Sequence, residues 1–224
     1  MNTPKIFIAC DTVDIRKIKE IIKETDNNKI KFGYKFGLEF LNSKEGRKFV
    51  GNLKKKVTFG DYKFADIPNT CRSAVKAIRD LKFNYITIHI SSGRKALLAA
   101  KKISGSTKLI GVTILTSLDN KSLKEIGFNK DVKKIVLDQA RLAAKVKLDA
   151  IVCSPHEIEI VKKVFKKEII TPGIRFSSDH KGDQKRVMTP KQAFQKGATA
   201  LVMGRSLVKG NIKSNIKKLL KEIN

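Results

Sequence analysis

The sequence predicts a closed barrel of eight parallel strands with intervening helices, the α/β class known as the (β/α)8 or TIM barrel, as a single domain over residues 1–224. Three observations predict it. Eight short apolar runs alternate with amphipathic helical segments along the whole chain. The runs are rich in Val, Ile and Phe and almost continuously apolar, as strands covered on both faces must be. No linker, low-complexity tract or charge block divides the 224 residues, a length that suits eight compact βα units. The alternative is a doubly wound open sheet, which would carry a Gly-rich turn after its first strand. Here the first strand ends in "ACDTVD" (9–14), which is no phosphate cradle.

The elements follow in order. "KIFIAC" (5–10) reads as the first strand and 14–25 as its helix. "IKFGYK" (30–35) precedes a helical pattern at 44–55, and "VTFGD" (57–61) one at 70–82. "YITIHI" (85–90) leads to 93–103, and "KLIGVTIL" (108–115) to 131–146. "AIVCS" (150–154) leads to 155–166, where "SPHE" (154–157) reads as an N-cap and first helical turn. "EIITP" (168–172) precedes 189–196, and "ALVMG" (200–204) precedes a last helix at 206–222.

Composition bounds the function. Hydrophobic residues make up 41% and charged residues 31%, enough apolar material for a sizeable core. No apolar run approaches the ~20 residues that span a bilayer. The opening "MNTPKIFIAC" enters a strand-like run at once, without the regions of a secretory leader. A cytoplasmic protein with no membrane partner is expected. Cys10, Cys71 and Cys153 are odd in number and widely spaced, and neither a C-x-x-C nor a Cys/His cluster occurs, so reduced cysteines and no metal site are expected. The net charge is +27. Its lysines are dispersed over helix faces, as in "RKIKEIIKE" and "NIKKLLKEI", and the chain has no Trp and three Tyr for stacking. We read this as composition rather than a nucleic-acid surface, although a positive field also draws anionic small molecules.

In this fold the chemistry sits at the C-terminal strand ends. The first strand ends in Asp11, the second in Lys35 and the third in Asp61, with Lys63 two residues on. Their N-terminal ends carry no such set. Residues two apart on a strand share a face, so Lys35, Asp61 and Lys63 are expected to converge, with Asp66 just beyond. Taken alone, this D-x-K-x-x-D suits an ion-pair network closing the barrel mouth as well as an active site. A second constellation decides between them. "TPGIRFSSDHKGDQKRVMTP" (171–190) supplies Arg175, Gln184 and Arg186, and "MGRS" (203–206) supplies Gly204 and Arg205 at the start of the last helix. The first of these is too long and polar for an ordinary connection of ~2–6 residues. Two such loops and a helix N-terminus form the usual phosphate site of these barrels.

"DYKFADIPNT" (61–70), "KFGLE" (35–39), "VTILTS" (112–117), "TPGIR" (171–175), "GDQKRVMTP" (182–190) and "MGR" (203–205) together resemble the orotidine 5′-phosphate decarboxylase family, in order and over nearly the whole chain. The resemblance implies a homodimeric (β/α)8 barrel that converts orotidine 5′-monophosphate (OMP) to UMP and CO2 in pyrimidine synthesis, with no cofactor. It implies Lys63 as proton donor to C6, Asp61 facing the departing carboxylate, Lys35 pairing with Asp61 and holding the ribose, and Asp11 on the ribose hydroxyls. Asp66 and Thr70 would reach the partner's site, Thr116 and Ser117 would lie by the base, and Arg175, Gln184, Gly204 and Arg205 would hold the phosphate. The sequence departs from the family at Tyr62, Ala65 and Phe176, usually Leu, His and Pro, and Phe176 is expected to leave its loop less rigid. The alternative within the superfamily is a 3-keto-L-gulonate 6-phosphate decarboxylase or hexulose 6-phosphate synthase, which carries Glu in place of Lys35 for Mg2+ and lacks the Arg175–Gln184–Arg186 loop. His89, His156 and His180 are given no catalytic part.

Overall fold

The computed structural model describes residues 5–26, 30–179 and 187–223. Among these, eight parallel strands close into a barrel in chain order, the first pairing with both the second and the eighth. They are β1 (Ile6–Ala9), β2 (Phe32–Phe36), β3 (Val57–Phe64), β4 (Tyr85–His89), β5 (Lys108–Val112), β6 (Ala150–Val152), β7 (Glu168–Thr171) and β8 (Ala200–Met203). Around them run α1 (Ile15–Thr25), α2 (Leu38–Leu41), α3 (Gly46–Asn52), α4 (Pro68–Ala77), α5 (Gly93–Ile103), α6 (Asn120–Glu125), α7 (Val132–Lys145), α8 (Ile158–Val164), α9 (Pro190–Lys196), α10 (Arg205–Val208) and α11 (Ile212–Ile223).

Strand alternation divides the core in two. Ile6, Ile8, Phe32, Tyr34, Ile86 and Ile88 point outward and pack under the helices. Phe7, Val57, Phe59, Tyr85, Ile110 and Ile170 point inward and fill the barrel. Phe7 meets Phe59 and Tyr85 edge-on, with ring centroids 5.2 and 5.1 Å apart, a geometry aromatic pairs favour. Local signals set the helix ends. Asp14 caps α1 by accepting the Arg16 and Lys17 N–H groups. A Thr189–Gln192 capping box and Pro190 start α9, and Gly197 at φ 110° ends it.

Several boundaries differ from the sequence expectation. β3 runs three residues further, to Phe64, while β5 stops at Val112. The short α2 and α6 are additional, at four and six residues too brief to show a periodicity. The last helix is two, α10 and α11, separated where Gly210 takes φ 73°. The Ser154 hydroxyl accepts the His156 N–H at 3.3 Å and so closes the turn at 155–157, with α8 starting only at Ile158.

Later strands carry ionisable groups at their N-terminal ends as well. Lys108 of β5 pairs with Glu168 of β7 and also donates to the Tyr85 hydroxyl at 3.3 Å. Asp149 pairs with Lys101 and accepts the Leu109 N–H at 2.9 Å. These charges fall at the start of strands, where a pattern search for strand ends passes them over.

Candidate active site

The inward register of two strands builds the site. In β2 the outward positions belong to Phe32, Tyr34 and Phe36, which leaves Lys35 facing the barrel. In β3 the inward positions of Val57 and Phe59 continue to Asp61 and Lys63. Tyr62 and Phe64 alternate with them and stack on the helix side, with centroids 5.0 Å apart and planes 7° off parallel. Lys63 stands at φ 50°, in the left-handed region, and the β3–β4 register shifts between Gly60 and Phe64. Such a bulge re-aims a side chain, and for a non-glycine residue this conformation costs roughly 1–2 kcal/mol.

Asp61 is the centre of the array. Its Oδ2 accepts from Lys63 Nζ at 2.8 Å and lies 3.5 Å from Lys35 Nζ. Lys35 Nζ donates to Asp11 Oδ1 at 3.0 Å. Burial opposes the charge on Asp61, but Lys35, Lys63 and the hydroxyl of Thr87 outweigh it and hold the carboxyl below its ordinary value. Burial likewise opposes the charge on Lys35, and Asp61 and Asp11 outweigh it, so this ammonium is held above its ordinary value. Gly37 leaves room for the pair, because a Cβ there would stand 3.1 Å from Asp11 Oδ1 and 3.5 Å from Lys35 Nζ. His89, half-buried beside the array, is pushed down by burial and by the charge of Lys63, with Asp61 acting against them.

The array opens on a cavity of about 280 Å³. Phe59, from the aromatic cluster, lines its wall together with Ile114, Leu115 and Thr116. Gly173, Arg175, Gly204 and Arg205 add a second group of donors. Arg175 is buried, its Nη1 donating to the Ile174 carbonyl at 3.0 Å, while Arg205 is exposed as the first residue of α10. Among the described residues no group of three His, Cys, Asp or Glu side chains is placed to hold a metal ion.

A family model described as "Orotidine 5'-phosphate decarboxylase / HUMPS family" matches residues 4–218. The chain belongs to this family. Among its curated relatives is an orotidine 5'-phosphate decarboxylase of Prochlorococcus marinus (strain MIT 9215), 40% identical over 219 residues that cover 92% of this chain and 89% of the relative. Another, from Wolbachia sp. subsp. Brugia malayi (strain TRS), is 42% identical over 222 residues, 96% of each chain. The crystal structure of orotidine 5'-phosphate decarboxylase from Lactobacillus acidophilus superposes with a TM-score of 0.83 at 27% identity, covering 99% of this chain and 100% of that one.

Asp11, Lys35, Asp61, Lys63, Thr116, Arg175, Gly204 and Arg205 all line one cavity. Ser117 follows Thr116 but is not among the lining residues. Gln184 and Arg186 lie outside the described residues. Asp66 and Thr70 are exposed near the start of α4, outside this lining, and Asp66 accepts the Ile67 N–H at 2.7 Å. Within one chain the acids beside the lysines are therefore Asp11 and Asp61. Phe176, where the family usually has Pro, is 3% exposed, with Lys218 Nζ of α11 4.4 Å from its ring centroid. That packing ties the start of the loop to the last helix, an anchor the sequence comparison did not anticipate.

Sequence reasoning passed over Gly37 and Thr87. Thr87 sits at an inward position of β4, and its hydroxyl binds both Asp61 and the backbone of Lys63. The available signal was a polar residue two before His89 in an otherwise apolar run.

Proposed function

We propose that this protein decarboxylates OMP to UMP and CO2, with Lys63 as the proton donor. The carrying observation is the Lys35–Asp61–Lys63 array, linked by contacts of 3.5 Å or less and open to a cavity that Arg175 and Arg205 also line. The C6–carboxylate bond breaks with its electron pair left on C6, where the pyrimidine π-system cannot take it up. The Lys63 ammonium beside that carbon stabilises the pair and then delivers its proton to C6. Preorganised charge of this kind needs no rearrangement at the moment of reaction. Asp61 orients Lys63 and faces the departing carboxylate. Lys35 and Asp11 hold the ribose, and Thr116 and Ser117 lie by the base. Arg175, Gln184, Gly204 and Arg205 grip the phosphate, and that remote binding energy drives desolvation at the ring.

The same reading makes the enzyme a homodimer in a single-domain barrel, with Asp66 and Thr70 completing the partner's site. Their exposure, and the 67% exposure of the neighbouring Ile67, support this. The location is cytoplasmic, supported by the buried thiols of Cys10 and Cys71. No helix among the described residues is long and apolar enough to cross a membrane. No cofactor, metal or nucleic acid takes part. Lys35, bound between two carboxylates, stands where the sister sugar-phosphate enzymes place a metal-binding Glu, which disfavours that reading. The test is spectrophotometric loss of OMP with and without EDTA. Turnover unchanged by EDTA is expected. Turnover of a sugar phosphate that EDTA abolishes would establish the sister activity instead.

A further inference from the structure

We propose that Thr87 is a positioning residue for the decarboxylation, its single hydroxyl setting both the backbone of Lys63 and the carboxylate of Asp61. The inference rests on the decarboxylase reading above. Thr87 Oγ1 accepts the Lys63 N–H at 2.8 Å and donates to Asp61 Oδ1 at 3.1 Å. A hydroxyl carries one proton and two lone pairs, so both bonds form together. Their directions are fixed. A backbone N–H can only donate, so the hydroxyl proton goes to the carboxylate.

Each bond has a geometric consequence. The register shift between Gly60 and Phe64 interrupts the β3–β4 ladder beside Lys63. The Thr87 oxygen takes the N–H there, at the one residue of β3 that stands at φ 50°. The side chain of Lys63 leaves the strand from that backbone, so what holds the bulge also aims the ammonium. The second bond occupies Oδ1 of Asp61, which leaves Oδ2 for Lys63 and Lys35, 2.8 and 3.5 Å away. Thr87 can hold both because it is itself held. It is fully buried in a regular part of β4, opposite Ile110 of β5, and its β-branched side chain is stiff about χ1.

Removing the hydroxyl without changing shape strands two polar groups. Thr87→Val leaves the Lys63 N–H and Asp61 Oδ1 without this partner, and the bulge is free to relax. Misplacing a reacting group by ~1 Å costs about 100-fold. Thr87 is not among the residues that line the cavity, so ligand binding is spared.

The experiment compares wild type with Thr87→Val and Thr87→Ser, measuring kcat, KM and the affinity for UMP. Thr87→Val is expected to lose ~10- to 100-fold in kcat with KM and UMP affinity within about threefold, and Thr87→Ser to recover kcat to within about threefold. If Thr87→Val does not fold, Thr87→Ser and Thr87→Ala differ by the hydroxyl alone and must show the same gap. Wild-type kcat in the hydroxyl-free variants would overturn the proposal, as would a Ser variant no better than Val or Ala, which would assign the effect to packing. An active wild type with an unimpaired Thr87→Val defeats only this inference. A wild type that binds UMP but does not decarboxylate OMP defeats the reading beneath it.

Discussion

Both ends of the barrel carry buried or half-buried lysine–carboxylate contacts, and they are built differently. At the N-terminal end Lys108 pairs with Glu168 from regular positions of β5 and β7 and donates to the Tyr85 hydroxyl as well. At the C-terminal end two ammonium groups share one oxygen of Asp61, and one of them belongs to a residue in the left-handed region. The first arrangement borders the aromatic cluster of Phe7, Phe59 and Tyr85. The second is branched, backed by Thr87, and opens on a cavity with two arginines. The contrast separates an ion pair at the N-terminal end of the barrel from the array proposed to serve the reaction, although both show the same residue types in the sequence.

The sharpest way to break this contrast is to truncate the functional lysine. Lys63→Ala is expected to lose turnover by roughly 10⁴-fold or more, since proton delivery and charge stabilisation vanish together, with an unchanged circular dichroism spectrum. Substantial residual decarboxylation would remove Lys63 from the mechanism. Next in size is Arg205→Ala. If Arg205 holds the phosphate as proposed, its loss should lower kcat/KM by about 10³-fold. An unchanged value would dissociate the second donor group from the array.

Lys108→Met should do the opposite. Its contact is worth about 1 kcal/mol, so Tm should fall by ~2–4 °C while kcat stays at the wild-type value. A kcat loss without a Tm change would erase the distinction between the two ends. The smallest effect concerns pH. The lowered carboxyl of Asp61 contributes stability above its unfolded value of 3.8 that is lost only as pH falls through the lower folded value. The raised ammonium of Lys35 contributes below 10.5 and is lost only above it. The Tm difference between wild type and Asp61→Asn should therefore stay constant between about pH 5 and 9. A difference that shrinks between pH 7 and 5 would show that Asp61 is not held in this way.

Much of the site was legible because the fold converts strand order into position. Once eight strands are recognised, Asp11, Lys35, Asp61 and Lys63 must share one mouth, and Arg175 after β7 and Arg205 after β8 join them. Alternation placed Asp61 and Lys63 on one face without reference to any contact. Less legible were features that depend on a neighbour distant in the chain. The extension of β3 through Lys63, the room beside Gly37 and the burial of Phe176 under Lys218 all belong to this group.

By itself the sequence determined the barrel, its strand order and the charged residues of its mouth, because periodicity and residue type are local properties that survive without coordinates. Only the tertiary structure decided that Asp61 bridges two lysines, that Lys63 leaves a bulge and that Thr87 holds both, since these depend on distances of 2.8–3.5 Å among β2, β3 and β4. Hydrogen bonds and ion pairs act over such short ranges that their partners are chosen by packing, and packing is a property of the closed barrel as a whole.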